Sequence, residues 1–268
     1  MKLCRFQKSG DPQARYGQIV GESVHALYDA DPFALKNSVA LLERASEEGV
    51  PIAEVRLLAP VAPSKIVCVG RNYKEHAAEL GNKMPSEPLL FLKAPSSIIG
   101  TDDAIILPPE SLQVEHEGEL GVVIGRRMNR IGEGENPLDY VLGYACVNDV
   151  TARDLQRKDV QFTRAKSFDT FCPVGPFIET ELDPHDLQVT TRVNGETKQQ
   201  ARTSRMAFDV PFLLRYISQA MTLYPGDLVA TGTPAGVSKL KDGDIVEVEV
   251  EGIGAIRNQV KSLGSLES

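Results

Sequence analysis

The sequence is poor in cysteine, and none of its cysteines stands in a motif spacing. Cys4, Cys68, Cys146 and Cys172 are scattered without a CxxC pair, which argues against a disulfide scaffold and a structural zinc site and suits a reducing compartment. Apolar runs approaching the ~20 residues of a membrane span are missing. The opening Met1-Lys-Leu-Cys-Arg-Phe6 is too polar for a signal peptide, so a cytoplasmic location with no membrane partner is expected. Positive charge is in deficit: 29 basic against 37 acidic residues leave a net charge of −8, which disfavours nucleic acid as a partner. Internal repeats, low-complexity tracts and the Gly-Lys-Ser/Thr of a P-loop are also missing. What remains is an ordinary globular composition, 42% hydrophobic and 25% charged, long enough to bury a sizeable core.

Short β-branched segments separated by Gly-, Pro- and Asp-rich turns predict an α+β protein dominated by sheet. Strands are expected at Met1–Phe6, Tyr16–Val20 and Val24–Leu27, with a helix over about 32–48 from the spacing of Ala34, Leu35, Val39, Leu42 and Ala45. Pro51, Pro60 and Pro63 mark a seam, which divides the chain into a small β-rich N-terminal domain, 1–62, and a main domain, 63–268. Further strands are expected at Ile66–Val69, Leu89–Leu92, Ala104–Leu107, Tyr140–Val147, Leu187–Val193, Leu228–Thr231, Ile245–Val250 and Ala255–Val260. Asn194-Gly195 signals a type I′ hairpin. Phe208–Leu223 is the clearest amphipathic helix, with Asp209 as cap and Pro211 in its first turn. Thr151 and Asp154 resemble a capping box opening another helix, and Lys166–Pro176 is expected to be an ordered loop.

The chemistry concentrates in Glu115-His-Glu-Gly-Glu-Leu-Gly-Val-Val-Ile-Gly125. As one strand it would carry the carboxylates of 115, 117 and 119 on a single face, with Cα atoms about 6.6 Å apart. Such an array is either a solvated acidic edge or a site for a hard divalent cation. Other candidates lie elsewhere. His76 and Glu79, three apart in a helix-forming stretch, suit a base oriented by a carboxylate. Asp149 sits in a strand-to-helix corner, with Arg153 and Gln156 just beyond it. The loop Thr231-Gly-Thr-Pro-Ala-Gly-Val237 offers backbone N–H groups and hydroxyls to a carboxylate.

Taken in order, six segments resemble the fumarylacetoacetate hydrolase superfamily. They are Gly70-Arg-Asn-Tyr-x-x-His76-x-x-Glu79, His116-Glu-Gly-Glu-Leu120, Asn148-Asp-Val-Thr-Ala-Arg-Asp-Leu-Gln156, Lys166-Ser-Phe-Asp-x-Phe-x-Pro-x-Gly-Pro176, Val193-Asn-Gly195 and Thr231-Gly-Thr-Pro-x-Gly-Val237. The match runs from about 65 to 260 and is most similar to the short acylpyruvate hydrolase and oxaloacetate decarboxylase members. It implies a mixed β-sandwich roll, commonly homodimeric. It also implies Mg²⁺ or Mn²⁺ held by Glu117, Glu119 and Asp149, with Glu115 a bystander. His76 assisted by Glu79 would activate water, Lys166 would stabilise developing negative charge, and Gln156 would orient water or substrate. Arg153 and Thr233 would meet the substrate carboxylate. Only Ser238 departs, standing where many relatives continue with Gly.

This residue set is coherent chemically. Cleaving a C–C bond beside a carbonyl leaves a carbanion that must be delocalised as an enolate, and a metal on the 1-carboxylate and 2-keto oxygens stabilises it. The expected activity is hydrolysis of an acylpyruvate, a small anionic keto acid. Oxaloacetate decarboxylation and isomerisation of 2-hydroxyhepta-2,4-diene-1,7-dioate are alternatives that need the same metal site, and a metal-dependent keto-acid binder is the non-enzymatic one.

Overall fold

The computed structural model describes residues 1–27, 32–33 and 45–266. It is a β-dominated α+β fold built on mixed sheets. The larger sheet has twelve strands. Its main path runs Ala45–Pro51, Ser23–Leu27, Arg15–Val20, Lys2–Lys8, Cys172–Glu179, Val141–Asn148, Gly118–Ile124, Leu228–Ala230, Ile66–Gly70 and Leu89–Lys93. Neighbours are mostly antiparallel, but Leu228–Ala230 runs parallel to Ile66–Gly70. A five-stranded sheet runs Glu196–Arg202, Gln188–Val193, Ile245–Val250, Gly254–Ser262 and Ile105–Leu107.

Gly118–Ile124 explains how the layers meet. It lies in the middle of the large sheet and is buried on both faces, which is why its sequence is a continuous apolar run and not an alternation. Leu120, Val122 and Ile124 pack with Val189, Val248, Val250 and Ile256 of the smaller sheet and with Leu214 and Ile217 of the helix Val210–Ala220. Val123 packs on the opposite face with Ala145, Val147, Leu228 and Ala230. At the strand's start the sheets nearly touch. A Cβ at Gly118 would lie 2.0 Å from the Thr191 hydroxyl, so only glycine fits between the two acidic residues. Asp209 caps the helix by accepting from Phe212 N at 2.9 Å, and Asn194 and Gly195 take φ of 52° and 81° in the hairpin. Among the described residues no helix is long and apolar enough to cross a membrane.

Four expectations are corrected. Residues 45–48 of the expected 32–48 helix belong to the strand Ala45–Pro51, which pairs with Ser23–Leu27; the remainder, apart from 32–33, lies outside the described residues. Gly49 and Pro51 disfavour helix there, and the open edge of Ser23–Leu27 offers a ladder instead. The acidic strand is not continuous: Val114–Glu115 pairs with Thr151–Ala152, and a new strand starts at Gly118. Thr151 and Asp154 form no capping box. The Thr151 hydroxyl donates to the Asp149 carbonyl, and the Asp154 carboxylate accepts from Ser111 Oγ and Leu112 N. Finally, most of Lys166–Pro176 is not loop. Lys166 ends the short helix Thr163–Lys166, and the strand Cys172–Glu179 begins six residues later, driven by burial of Cys172, Val174 and Ile178.

Candidate active site

The break at His116-Glu117 builds the site. The strand stops because its polar groups bond sideways. Glu117 N donates to the Asn148 side-chain oxygen at 3.0 Å, and Asp149 N donates to Glu117 O at 2.8 Å. Buried His116 spans Gln199 Oε1 at 3.0 Å and Ser238 Oγ at 2.9 Å, so the hydroxyl at the one departing position has a structural partner. Gln199 Oε1 also accepts from Gly118 N, while its amide donates to Thr233 Oγ1 at 2.8 Å and to Pro234 O. This network fixes the loop after Ala230 against the acidic segment.

Glu117, Glu119 and Asp149 are thereby brought together, all buried, with one oxygen of each within 4.8 Å of the others. Lys166 Nζ donates to Glu117 Oε2 and Asp149 Oδ2, both at 2.7 Å. Lys93 Nζ donates to Asp149 Oδ1 at 2.6 Å and to Val150 O. Arg153 bonds Glu117 and Gln156, and its Nε donates to Glu115 Oε2 at 2.7 Å. Glu119 differs: among the described residues no cation pairs with it, and Gly232 N at 2.7 Å is the donor it accepts from.

The electrostatics follow from this distribution. Burial works against the Glu117 charge, yet Lys166 and Arg153 overcome it and hold its carboxyl far below the usual carboxylate range. At Glu119, burial and then the charges of Asp149 and Glu117 push the carboxyl well above that range. Burial opposes the charge of Lys166, but Asp149 and Glu117 raise its pKa. The donor set is therefore three carboxylates, one without a protein cation, which fits a hard divalent ion with water completing its shell.

A cleft of about 840 Å³, open mouth included, gives access to the cluster. The three carboxylates, His76, Arg153, Gln156, Lys166 and Thr233 line it; Glu79 stands behind His76. The helix Lys74–Glu79 presents buried His76, whose Nδ1 lies 3.4 Å from Glu79 Oε2. Both Glu79 oxygens accept from Gly236 N, at 3.1 and 3.2 Å. Burial lowers the His76 pKa below 6.5; Glu117 and Glu79 counter it and Arg153 reinforces it. Burial thus favours the neutral imidazole.

Sequence reasoning passed over Lys93, Gln199 and Asn72. Lys93 ends the apolar strand Leu89–Lys93, where a buried lysine signals an ion pair. Asn72 ties the helix Lys74–Glu79 to the core through Thr231 O and Phe208 O. Glu115 lies outside the cluster, bonded to Arg153 and Gln113. Glu115→Gln is thus expected to change Mg²⁺ affinity by less than about threefold, since its charge reaches the cluster only through Arg153; titration calorimetry checks this.

Residues 65–261 match the family described as fumarylacetoacetate (FAA) hydrolase C-terminal, and residues 1–60 match the Rv2993c-like N-terminal family. The chain is 40% identical over 287 residues to the mitochondrial oxaloacetate tautomerase Fahd2a of Rattus norvegicus, covering 97% of this chain and 91% of that one. Among solved structures, 2-hydroxyhepta-2,4-diene-1,7-dioate isomerase from Mycobacterium marinum is 42% identical with a TM-score of 0.86, covering 98% and 99% of the two chains. Fumarylacetoacetate hydrolase from Exiguobacterium antarcticum is 41% identical with a TM-score of 0.86 at the same coverage. With the family's match over residues 65–261 taking in the carboxylate cluster and the cleft, the chain belongs to the fumarylacetoacetate hydrolase family.

Proposed function

We propose that this protein is a divalent-metal-dependent hydrolase that cleaves acylpyruvates, 2,4-diketo acids, to pyruvate and a carboxylic acid. The observation that carries the reading is a buried, carboxylate-backed His76 lining the same cleft as Glu117, Glu119 and Asp149. Mg²⁺ or Mn²⁺ held by those three carboxylates would supply Lewis acidity to the 1-carboxylate and 2-keto oxygens of the substrate. Arg153 and Thr233 hold the substrate carboxylate, and Gln156 orients the water. His76 takes a proton from that water, and the resulting hydroxide adds to the C4 carbonyl. The C3–C4 bond then breaks, its electron pair forms the enolate of pyruvate, and Lys166 places positive charge beside that developing anion. Protonation at C3 completes pyruvate.

A second reading draws on the relatives. Tautomerisation or isomerisation, and the decarboxylation of oxaloacetate, need the same enolate but no attack by water, and the rat and M. marinum proteins bear tautomerase and isomerase names. Purified protein with Mg²⁺ is expected to convert acetylpyruvate to pyruvate and acetate, and EDTA to abolish the reaction. Consumption no faster than with Mg²⁺ alone in buffer rejects the hydrolase. Accelerated keto–enol exchange of oxaloacetate without acetylpyruvate cleavage selects the second reading.

A further inference from the structure

Each carboxylate of the cluster has one oxygen tied to its own protein partner. Glu117 Oε1 accepts from Arg153, Glu119 Oε2 from Gly232 N at 2.7 Å, and Asp149 Oδ1 from Lys93 Nζ at 2.6 Å. The second oxygens form a different group. Glu117 Oε2 and Asp149 Oδ2 share one donor, Lys166 Nζ, at 2.7 Å each. Among the described residues Glu119 Oε1 accepts from nothing. The three carboxylates thus keep one oxygen apiece for an incoming ion.

The two lysines on Asp149 are not equivalent. Lys166 lines the cleft and has two carboxylates to choose between, so it can release one oxygen and keep the other. Lys93 does not line the cleft, and its side chain is fully buried. Its acceptors are Asp149 Oδ1 and, at 3.2 Å, Val150 O. Releasing Oδ1 would leave a buried ammonium on a single carbonyl, with no water to turn to. The backbone holds it there as well. Lys93 pairs with Ile66 at the end of its strand, and Ala94 N donates to Ser167 Oγ at 3.0 Å, beside Lys166.

We propose that Lys93 is a positioning residue that sets the metal preference of the site. By keeping Asp149 Oδ1 for itself it confines that ligand to one oxygen, and so disfavours Ca²⁺ relative to Mg²⁺. The inference rests on the metal reading of the cluster proposed above and deepens it, whichever keto-acid reaction the protein performs. Ca²⁺ gathers about six to eight oxygens and readily takes two from one carboxylate. Mg²⁺ is smaller, demands octahedral geometry and keeps several waters, so single oxygens suit it. Partners behind the ligating groups tune a metal site in this way without touching the ion.

Titration calorimetry of Mg²⁺ and Ca²⁺ into EDTA-stripped protein tests this through the ratio of the two affinities. Lys93→Met frees Asp149 Oδ1 and is expected to raise the Ca²⁺-to-Mg²⁺ affinity ratio about tenfold or more. Lys93→Arg, which keeps donors for that oxygen, should recover part of the wild-type ratio. Loss of a cation strengthens both ions alike through charge alone, so a parallel gain that leaves the ratio unmoved overturns the proposal. A ratio that falls does the same. Lys93→Gln, whose shorter side chain also releases Oδ1, supplies the comparison should the methionine variant not fold. In wild-type crystals grown with Mn²⁺, Asp149 is expected to give the ion one oxygen while Lys93 stays on the other. Two Asp149 oxygens on the ion overturn the proposal without any variant and leave the metal reading intact. Failure of the wild type to bind either ion overturns both.

Discussion

Glu119→Gln is expected to lower Mg²⁺ affinity a hundredfold or more and, at the same time, to raise the melting temperature of the metal-free protein. Both effects come from one feature. Glu119 is a buried carboxylate beside two others, with Gly232 N and, among the described residues, no paired cation to hold its charge. Its folded pKa is raised above the unfolded value, so the folded state binds its proton more tightly than the unfolded chain does. That contribution to stability is fully present below the ordinary carboxylate pKa of about 4.3 and is lost as pH climbs through the raised folded value. Glu117 has the opposite sign: its depressed pKa contributes stability above the unfolded pKa and loses it only in strong acid.

The metal-free wild type should therefore lose stability as pH rises from the ordinary carboxylate pKa through the raised folded value of Glu119, and Mg²⁺ should restore it by binding the folded state. Glutamine keeps an oxygen for Gly232 N while removing the charge. It should relieve roughly 1–3 kcal/mol, a few degrees of melting temperature for a chain of this size, and flatten the pH dependence. Scanning calorimetry in EDTA at several pH values, with titration of Mg²⁺ into both proteins, measures every part. Unchanged Mg²⁺ affinity would remove Glu119 from the ligand set, and a lower melting temperature would mean that its charge is stabilising after all.

The sequence disclosed the parts of the site that local chemistry writes into short segments. Asn148-Asp149 lies where a strand ends, so the chain leaves the ladder there, and Glu117-Gly-Glu119 sets two carboxylates around a glycine that the second sheet requires. The turn of Asn194-Gly195 and the cap at Asp209 were equally legible, because each depends on residues within a few positions. Lys93 was not legible. Its partner Asp149 is 56 residues away, and nothing in Leu89-Leu-Phe-Leu-Lys93 says that the lysine turns inward. Gln199 was hidden likewise, since its meaning lies in three segments that it joins across 34 to 83 residues. The acidic strand misled for a physical reason. Period-two spacing assumes an unbroken ladder, and side-chain bonds to His116 and Glu117 N interrupt it. The spacing that suggested a helix over 32–48 met an open strand edge at its C-terminal end, where ladder hydrogen bonds outweighed weak helix propensity.

His76→Asn is expected to lower acylpyruvate hydrolysis by two to four orders of magnitude, the usual worth of a positioned general base, while leaving Mg²⁺ affinity within a few-fold of wild type. The side chain is buried in the cleft but is not one of the cluster's oxygens, so its loss should appear in turnover and not in metal binding. The acting form is the neutral imidazole. Hydrolysis should accordingly fall on acidification, with a midpoint below 6.5, because burial lowers the His76 pKa. Glu79 acts in the other direction: its hydrogen bond and its charge both raise that pKa. Glu79→Gln should therefore move the acid limb to lower pH, since the amide keeps an oxygen for the ring and for Gly236 N but removes the charge. A base held by some other residue would leave the midpoint unmoved in Glu79→Gln and the plateau unchanged in His76→Asn. Deletion of the Gly236 contact alone would lower the rate without shifting the midpoint. The pH profile thus separates a carboxylate that tunes the base from one that merely fastens the helix.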